Sequence, residues 1–462
     1  MHMRFIAACC GAFFCLSCIG APGHTPTTPS PAFNVGRDLA LIAGEVSQER
    51  LRAYIDKLVS FGTRHTLSDQ ISETRGIGAA RRWVEDEFKG ISERCGGCLD
   101  VITVQDTVQA PPRVPEPTLI ANAIAIKKGS EDSDRVIIIQ AHLDSRVSDV
   151  MNFTDDAPGA NDDASGVAAV IESARILSKR PFRATIVFAA LSGEEQGLHG
   201  GRILADYAKQ QGWNVLAVLN NDIVGNSHGM AGVIDDRMRV FSEGVRSKET
   251  DQIAASRISA GGEVDAPSRN LARYIDAIAS EHLPDFDVSL VYRRDRVGRG
   301  GDQIPMVEAG FPAVRLTEAA EHYHRQHQDL RIENGVAYGD TIAGVDFEYL
   351  AQVTRLNAMT LAALAQAPPP PLEIRLEGAV STDTRLSWTP SPGAGSYVVW
   401  WRETTSPVWQ NSLSVPRGAT TAILENVVID DWFFGVQAVS EDGFASPVQF
   451  AGPVGAFAPA PD

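Results

Sequence analysis

Arg135-Val136-Ile137-Ile138-Ile139-Gln140-Ala141-His142-Leu143-Asp144 runs an almost unbroken apolar segment into an imidazole and a carboxylate. A strand with one wet face alternates apolar and polar residues. This one does not, so it is read as a strand buried on both faces. The same texture returns at Ala184-Thr185-Ile186-Val187-Phe188-Ala189-Ala190-Leu191, at Val215-Leu216-Ala217-Val218-Leu219 and at Pro312-Ala313-Val314-Arg315-Leu316. Between the first two runs, Val167, Val170, Ile171, Ala174 and Leu177 recur at helical spacing over residues 165–177. Helical spacing also marks residues 48–61 (Leu51, Tyr54, Ile55, Leu58, Val59) and 79–88. The pattern predicts an α/β fold with a mostly parallel central sheet covered by helices.

In open sheets of this kind, ligands bind beyond the carboxyl ends of the strands. The first run ends in His142-Leu143-Asp144, and a loop then leads to Gly159-Ala160-Asn161-Asp162-Asp163-Ala164-Ser165-Gly166 at the mouth of the helix. The second ends in Ser192-Gly193-Glu194-Glu195-Gln196-Gly197, and the third in Asn220-Asn221-Asp222. The fourth leads to Glu318 and then to Glu321-His322-Tyr323-His324-Arg325-Gln326-His327-Gln328-Asp329. Each piece alone has an ordinary explanation: a hydrogen-bonded loop pair, a helix cap, an acidic helix start, a turn residue or a wet surface. Four such pieces at successive strand ends on one edge of the sheet point to a metal site instead. Zinc takes imidazole nitrogen and carboxylate oxygen. Two zincs about 3.5–4 Å apart can share a carboxylate and clamp a hydroxide. That arrangement uses two histidines, three carboxylates and one further carboxylate to move protons, and the sequence supplies this set.

His142-x-Asp144, the Gly159 to Gly166 segment, Ser192-Gly193-Glu194-Glu195-x-Gly197 and Asn221-Asp222 together resemble the two-zinc exopeptidases of the bacterial leucyl aminopeptidase type, peptidase family M28. The resemblance covers residues 37–366. It implies that Asp162 bridges two zinc ions, that His142 and Asp222 complete one metal, and that Glu195 and a late histidine complete the other. It further implies Glu194 as general base and Asp144 as the acceptor that orients His142 through its other ring N–H. The late ligand is expected at His327, with His324 as the alternative and His322 also within reach. Gly300-Gly301-Asp302-Gln303 departs from the family, where a histidine commonly follows that aspartate. The implied activity is an aminopeptidase that attacks N-terminal peptide bonds of a peptide or protein with a two-metal-bridged hydroxide. A single-zinc glutaminyl-cyclase-like acyltransferase and a non-catalytic binding ectodomain are the competing readings.

The rest of the chain bounds this reading. There are 41 basic and 58 acidic residues, a formal charge of −17, which argues against nucleic acid or an anionic membrane as partner. Residues 1–21 read as a signal peptide, with Arg4 before a short apolar run, and 22–36 as a linker. A periplasmic or secreted protein without a transmembrane span in its mature chain is therefore expected. Leu16-Ser17-Cys18 offers Cys18 as a lipid-anchor site, although Cys15 stands where an aliphatic residue is usual. Cys95 and Cys98 are the only cysteines beyond this segment, and a small loop-closing disulfide is favoured over a redox pair or half a zinc site. After Pro368-Pro369-Pro370-Pro371, in a linker spanning 367–372, the helical period gives way to short alternating strands. Residues 373–462 resemble a fibronectin type III β-sandwich. Trp400, Trp401 and Trp409 in it are expected to pack its core, with polymer binding as the alternative if they are exposed.

Overall fold

The four apolar runs fold as the strands their composition demands. The computed structural model describes residues 35–245 and 249–452, so the expected signal peptide, Cys18 and most of the 22–36 linker lie outside the described residues. Eight strands form the main sheet: β1 (Asp100–Ala110), β2 (Val114–Lys127), β3 (Asp132–His142), β4 (Ala184–Leu191), β5 (Asn214–Asn221), β6 (Met238–Ser242), β7 (Val288–Val291) and β8 (Ala313–Glu318). Their order is β1-β2-β4-β3-β5-β8-β6-β7. The four central strands, β4, β3, β5 and β8, are mutually parallel. On one flank β1 and β2 form an antiparallel hairpin; on the other, β6 runs antiparallel to β8 and parallel to β7.

Side chains alternate between two cores, one on each face of the sheet. Ile137, Ile139, Ile186, Phe188, Ala217 and Leu219 join one, while Val136, Ile138, Val187, Ala189 and Val218 join the other. The first face is covered by α1 (Val35–Gly44), α2 (Gln48–Val59), α3 (Gly76–Arg94), α4 (Ala164–Leu177), α7 (Pro267–His282) and α9 (Phe347–Gln366). The second is covered by α5 (His199–Gln210) and α8 (Gln303–Glu308); α6 (Asp251–Ala260) precedes α7 in the chain. This is the α/β architecture expected from the apolar runs. Continuous burial on both faces is what removes the alternation from β3, β4, β5 and β8.

Beyond α9, two antiparallel sheets share a third core. One contains Leu372–Glu377, Thr384–Thr389 and Thr421–Leu424; the other contains Asn411–Val415, Ser396–Glu403, Trp432–Val439 and Gln449–Phe450. Leu386, Trp388, Tyr397, Val399, Phe434 and Val436 meet between them. Trp401 packs against this core, whereas Trp400 and Trp409 face α7 across a cavity of about 320 Å³. All three are half-buried. Arg402 and Asp265 tie the C-terminal sheets to the chain before α7 at 2.5 Å, and Asp442 pairs with Arg183 at 3.0 Å. Cys95 and Cys98 are bonded to each other after α3. No described helix is long and apolar enough to cross a membrane.

Candidate metal centre

The carboxyl ends of β3, β4, β5 and β8 open on one edge of the sheet, and three of them place a candidate ligand within a few residues. His142 is the last residue of β3, Asp222 follows β5, and Glu195 stands in the turn after β4. Asp162 precedes α4, and His327 lies on the loop after β8 in a left-handed conformation (φ 51°). The Asp162–Asp163 peptide is cis. Two groups of candidate ligand atoms result, His142/Asp162/Asp222 and Asp162/Glu195/His327, each lying within 4.8 Å. Asp162 belongs to both: its Oδ1 is 3.1 Å from His142 Nε2 and its Oδ2 is 2.9 Å from His327 Nε2. Asp222 Oδ1 lies 3.8 Å from His142 Nε2, and Glu195 Oε1 lies 2.8 Å from His327 Nε2. His324 stands apart, packed against Tyr338 with ring centroids 4.6 Å apart and beside His322.

The donor set fits a pair of divalent cations. Glu195 Oε1 is buried, and although His327 Nε2 lies 2.8 Å away the two are not aligned as a hydrogen bond. An unsatisfied buried carboxylate oxygen is costly unless a cation meets it. The carboxylates also draw protons onto the imidazoles. Against burial, Asp163, Asp144, Asp162 and Asp222 raise the pKa of His142 well above its ordinary value. Against burial too, Glu195 and Asp162 lift that of His327 to about 9. Burial opposes the Asp162 carboxylate, yet His327 and His142 hold it well below the usual range. Such a cluster carries surplus negative charge of the kind a metal neutralises.

Several residues hold the ligands without belonging to either group. Asp163 caps α4 by accepting from Gly166 N at 3.1 Å, and it also accepts from His142 N (3.1 Å) and Ile223 N (3.2 Å). One carboxylate thus ties β3, α4 and the end of β5 together. The Asp-Asp pair divides its work, Asp162 toward the ligand groups and Asp163 toward the backbone. Asp340 accepts from Asn161 N and Asp162 N, the latter at 2.7 Å. Arg64, only 1% exposed, donates to the carbonyls of Leu143, Leu58, Pro158 and Gly159, clamping the loops on both sides of the site. Arg315 rises from β8 between Asp222 Oδ1 (2.6 Å) and Asp295 Oδ2 (3.2 Å).

Asp144 meets the second ring nitrogen of His142 mainly through its backbone carbonyl. His142 Nδ1 lies 3.0 Å from the backbone carbonyl of Asp144, whereas its carboxylate oxygen is 3.7 Å away. The carboxylate accepts from Glu194 N (3.2 Å), Glu195 N (3.0 Å) and Thr66 Oγ1 (2.8 Å), fixing the turn that presents both glutamates. Glu194 is half-buried at the cavity, and burial, reinforced by Glu195, Asp222 and Asp302, pushes its carboxyl well above the ordinary range. Asp302, at the departure from the family pattern, is buried and accepts from Gly201 N at 3.1 Å. Its neighbour Gln303 donates to Asp295 at 2.7 Å, so neither residue lines the cavity.

The cavity over the ligand groups has a volume of about 310 Å³. Residues 122–342, which carry all five ligand candidates, match the model of peptidase family M28. A protein of Leptosphaeria maculans, described as a probable zinc metalloprotease, is 45% identical over 422 residues, covering 90% of this chain and 97% of that one. The chain belongs to peptidase family M28. A second relative, from Pyricularia oryzae and also described as a probable zinc metalloprotease, is 44% identical over 421 residues, covering 89% of this chain and 83% of its own. Among solved structures, the LapA aminopeptidase of Legionella pneumophila superposes with a TM-score of 0.51 at 18% identity, covering 73% of this M28 chain and 78% of its own. LapB from the same organism gives 0.52 at 17% identity, with 73% and 77% covered. At such identities the superpositions establish a shared fold.

Proposed function

We propose that this M28 chain is a two-zinc exopeptidase that removes N-terminal residues, with Glu194 as general base. The observation that carries the reading is the double use of Asp162, one oxygen turned to each histidine-carboxylate group. His142, Asp162 and Asp222 would hold one zinc, and Asp162, Glu195 and His327 the other. The ions, when bound, supply Lewis acidity toward the scissile carbonyl and toward the attacking water. Glu194, adjacent to the ligand Glu195 and held in place through its backbone N–H by Asp144, takes the proton from that water. The C–O bond forms as that proton leaves the water, and the C–N bond breaks when Glu194 then delivers the proton to the departing amine. A carboxyl whose pKa is raised by burial and by neighbouring carboxylates suits both halves of that transfer.

The proposal extends to the ends of the chain. Residues 1–21 are assigned to a signal peptide, and export to the periplasm or the medium follows; the bonded Cys95–Cys98 pair supports an oxidising compartment. Residues 373–462 are assigned to a fibronectin type III-like module, supported by the three- and four-stranded antiparallel sheets with Trp388 and Tyr397 between them.

Zinc analysis beside hydrolysis of leucine-p-nitroanilide, for wild type and Glu194→Ala, tests the reading. Two zincs per chain, with activity lost and metal kept in the variant, are expected. One zinc would favour the cyclase-like chemistry. Two zincs without hydrolysis of an N-terminal residue would move the assignment to another exopeptidase. No tightly held zinc and no activity would leave a binding domain.

A further inference from the structure

Four arginines line the cavity over the ligand groups: Arg113, Arg146, Arg296 and Arg299. The lining carboxylates are Asp162, Glu195 and Asp222, which belong to the ligand groups, and Glu194, which serves proton transfer. No further lining acid is left, among the described residues, to receive a substrate ammonium. Four arginines face four carboxylates, and once divalent cations meet Asp162, Glu195 and Asp222 the arginines are left in excess on the cavity wall.

The surroundings do not cancel that excess. Glu321 alone receives Arg239 (2.5 Å), Arg296 (3.1 Å) and Arg299 (2.8 Å). Asp295 receives Arg315 at 3.2 Å and Arg296 at 3.3 Å. Four guanidiniums thus share two carboxylates, apart from the contact of Arg315 with the ligand Asp222. Arg146 is taken up by Glu195 Oε2 at 2.9 Å. Arg113, at the tip of the β1–β2 hairpin, donates to the backbone carbonyl of Glu195 at 2.6 Å and has no ion pair among the described residues. Guanidinium forks match carboxylate geometry, and a wall that concentrates them in a cavity favours anionic ligands.

We propose that this arginine wall makes the site selective for peptides carrying a carboxylate beside the scissile bond. The carboxylate has two sources, an acidic side chain on the terminal residue or the free C-terminus of a short peptide. The inference rests on the exopeptidase reading of the same site and adds its substrate class. Arg296 and Arg299, on the loop before α8, are the binding residues, and Arg113 lines the same cavity.

Binding to the zinc-loaded, full-length Glu194→Gln protein, measured by titration calorimetry, separates the inference from the reading beneath it. Two peptide pairs distinguish the sources: Glu-Ala-Ala-amide against Gln-Ala-Ala-amide, and Leu-Ala against Leu-Ala-amide. The carboxylate member of at least one pair is expected to bind about tenfold tighter or better. The pair that shows the preference names the source. In Arg296→Ala/Arg299→Ala the preference should fall to about twofold or less, and Arg299→Lys should keep part of it. Zinc content equal to that of the parent serves as the folding control. Equal binding within both pairs overturns the inference, as does a preference that survives loss of both arginines, which would place the carboxylate on the metals. A wild type that binds with this preference but cuts none of the peptides would sink the exopeptidase reading and leave the anion selectivity standing.

Discussion

Replacing Arg402 with methionine should loosen the C-terminal sheets from the catalytic fold. Arg402 is fully buried, its Nη2 lies 2.5 Å from Asp265 Oδ2, and its guanidinium stacks on Phe433 and Trp409 at 4.7 and 5.3 Å. Asp265 is 1% exposed, and Arg273 meets its other oxygen at 2.9 Å. Burial pushes the Asp265 carboxyl up even with both arginines present, so its charge depends on them. Methionine fills most of the volume and keeps the ring contacts, but it leaves a buried carboxylate with one partner. Removing one member of a buried ion pair costs about 3–5 kcal/mol. If a unit of about 430 residues melts as a whole, with an unfolding entropy near 0.9 kcal/mol/K, the midpoint falls by about 3–6 °C. If the C-terminal sheets melt alone, as about 80 residues with about 0.17 kcal/mol/K, their midpoint falls by about 18–30 °C and a separate early transition appears. Scanning calorimetry on the metal-loaded chain distinguishes the two, and adding Asp265→Asn should recover part of the loss. A variant melting within about 1 °C of wild type would refute the argument that this buried pair holds the two parts together.

Two further outcomes follow from particular contacts. Against burial, Arg296, Arg239 and Arg299 hold the Glu321 carboxyl at about 2, below its ordinary 4.5. A depressed carboxylate adds stability that is complete above its unfolded pKa and is lost as pH falls through its folded one. Glu321→Gln should therefore cost about 3 kcal/mol at neutral pH, a gap that closes between about pH 5 and pH 2 in thermal melts; a gap independent of pH would refute the assignment. A Cβ on Gly166 would fall 2.6 Å from both Asp163 oxygens and 2.8 Å from Asn221 O. Gly166→Ala should lose about 1–3 kcal/mol and reduce zinc retention, because Asp163 anchors both His142 and Ile223; wild-type melting and metal content would show that the cap tolerates the shift.

What could be read from the chain followed from burial. Strands β3, β4, β5 and β8 announce themselves because they lie between two cores, so their apolar runs have no polar interruptions to confuse the period. The β1–β2 hairpin does not, because β1 is largely exposed and β2 carries Pro115 and Pro117 in its wet half. Strands β6 and β7 do not either, being only five and four residues long and reliant on pairing with β8 and with each other. The ligand candidates were legible because catalytic residues cluster at strand ends, where loops begin. Their supports were not. Arg315 reads as a charged interruption of an apolar strand, and nothing local tells that Asp222 and Asp295 await it. Asp340 and Arg64 act through backbone groups distant in sequence, which leave no residue signature. The resemblance singled out Asp144 beside His142, and its carboxylate also serves the glutamate turn, a geometry the sequence does not carry.

The strand order also sets a schedule. β8 lies between β5 and β6, so β6 and β7, although made earlier, have no edge to join until β8 is in place. His327 arrives just after β8, and His142, Asp162, Glu195 and Asp222 have all been made by then. A chain cut before β8 therefore holds every residue of the His142/Asp162/Asp222 group but lacks His327, which the second group needs. The last gap in the sheet and the last candidate ligand are thus filled in nearly the same stretch of chain, which ties completion of the second residue group to completion of the sheet.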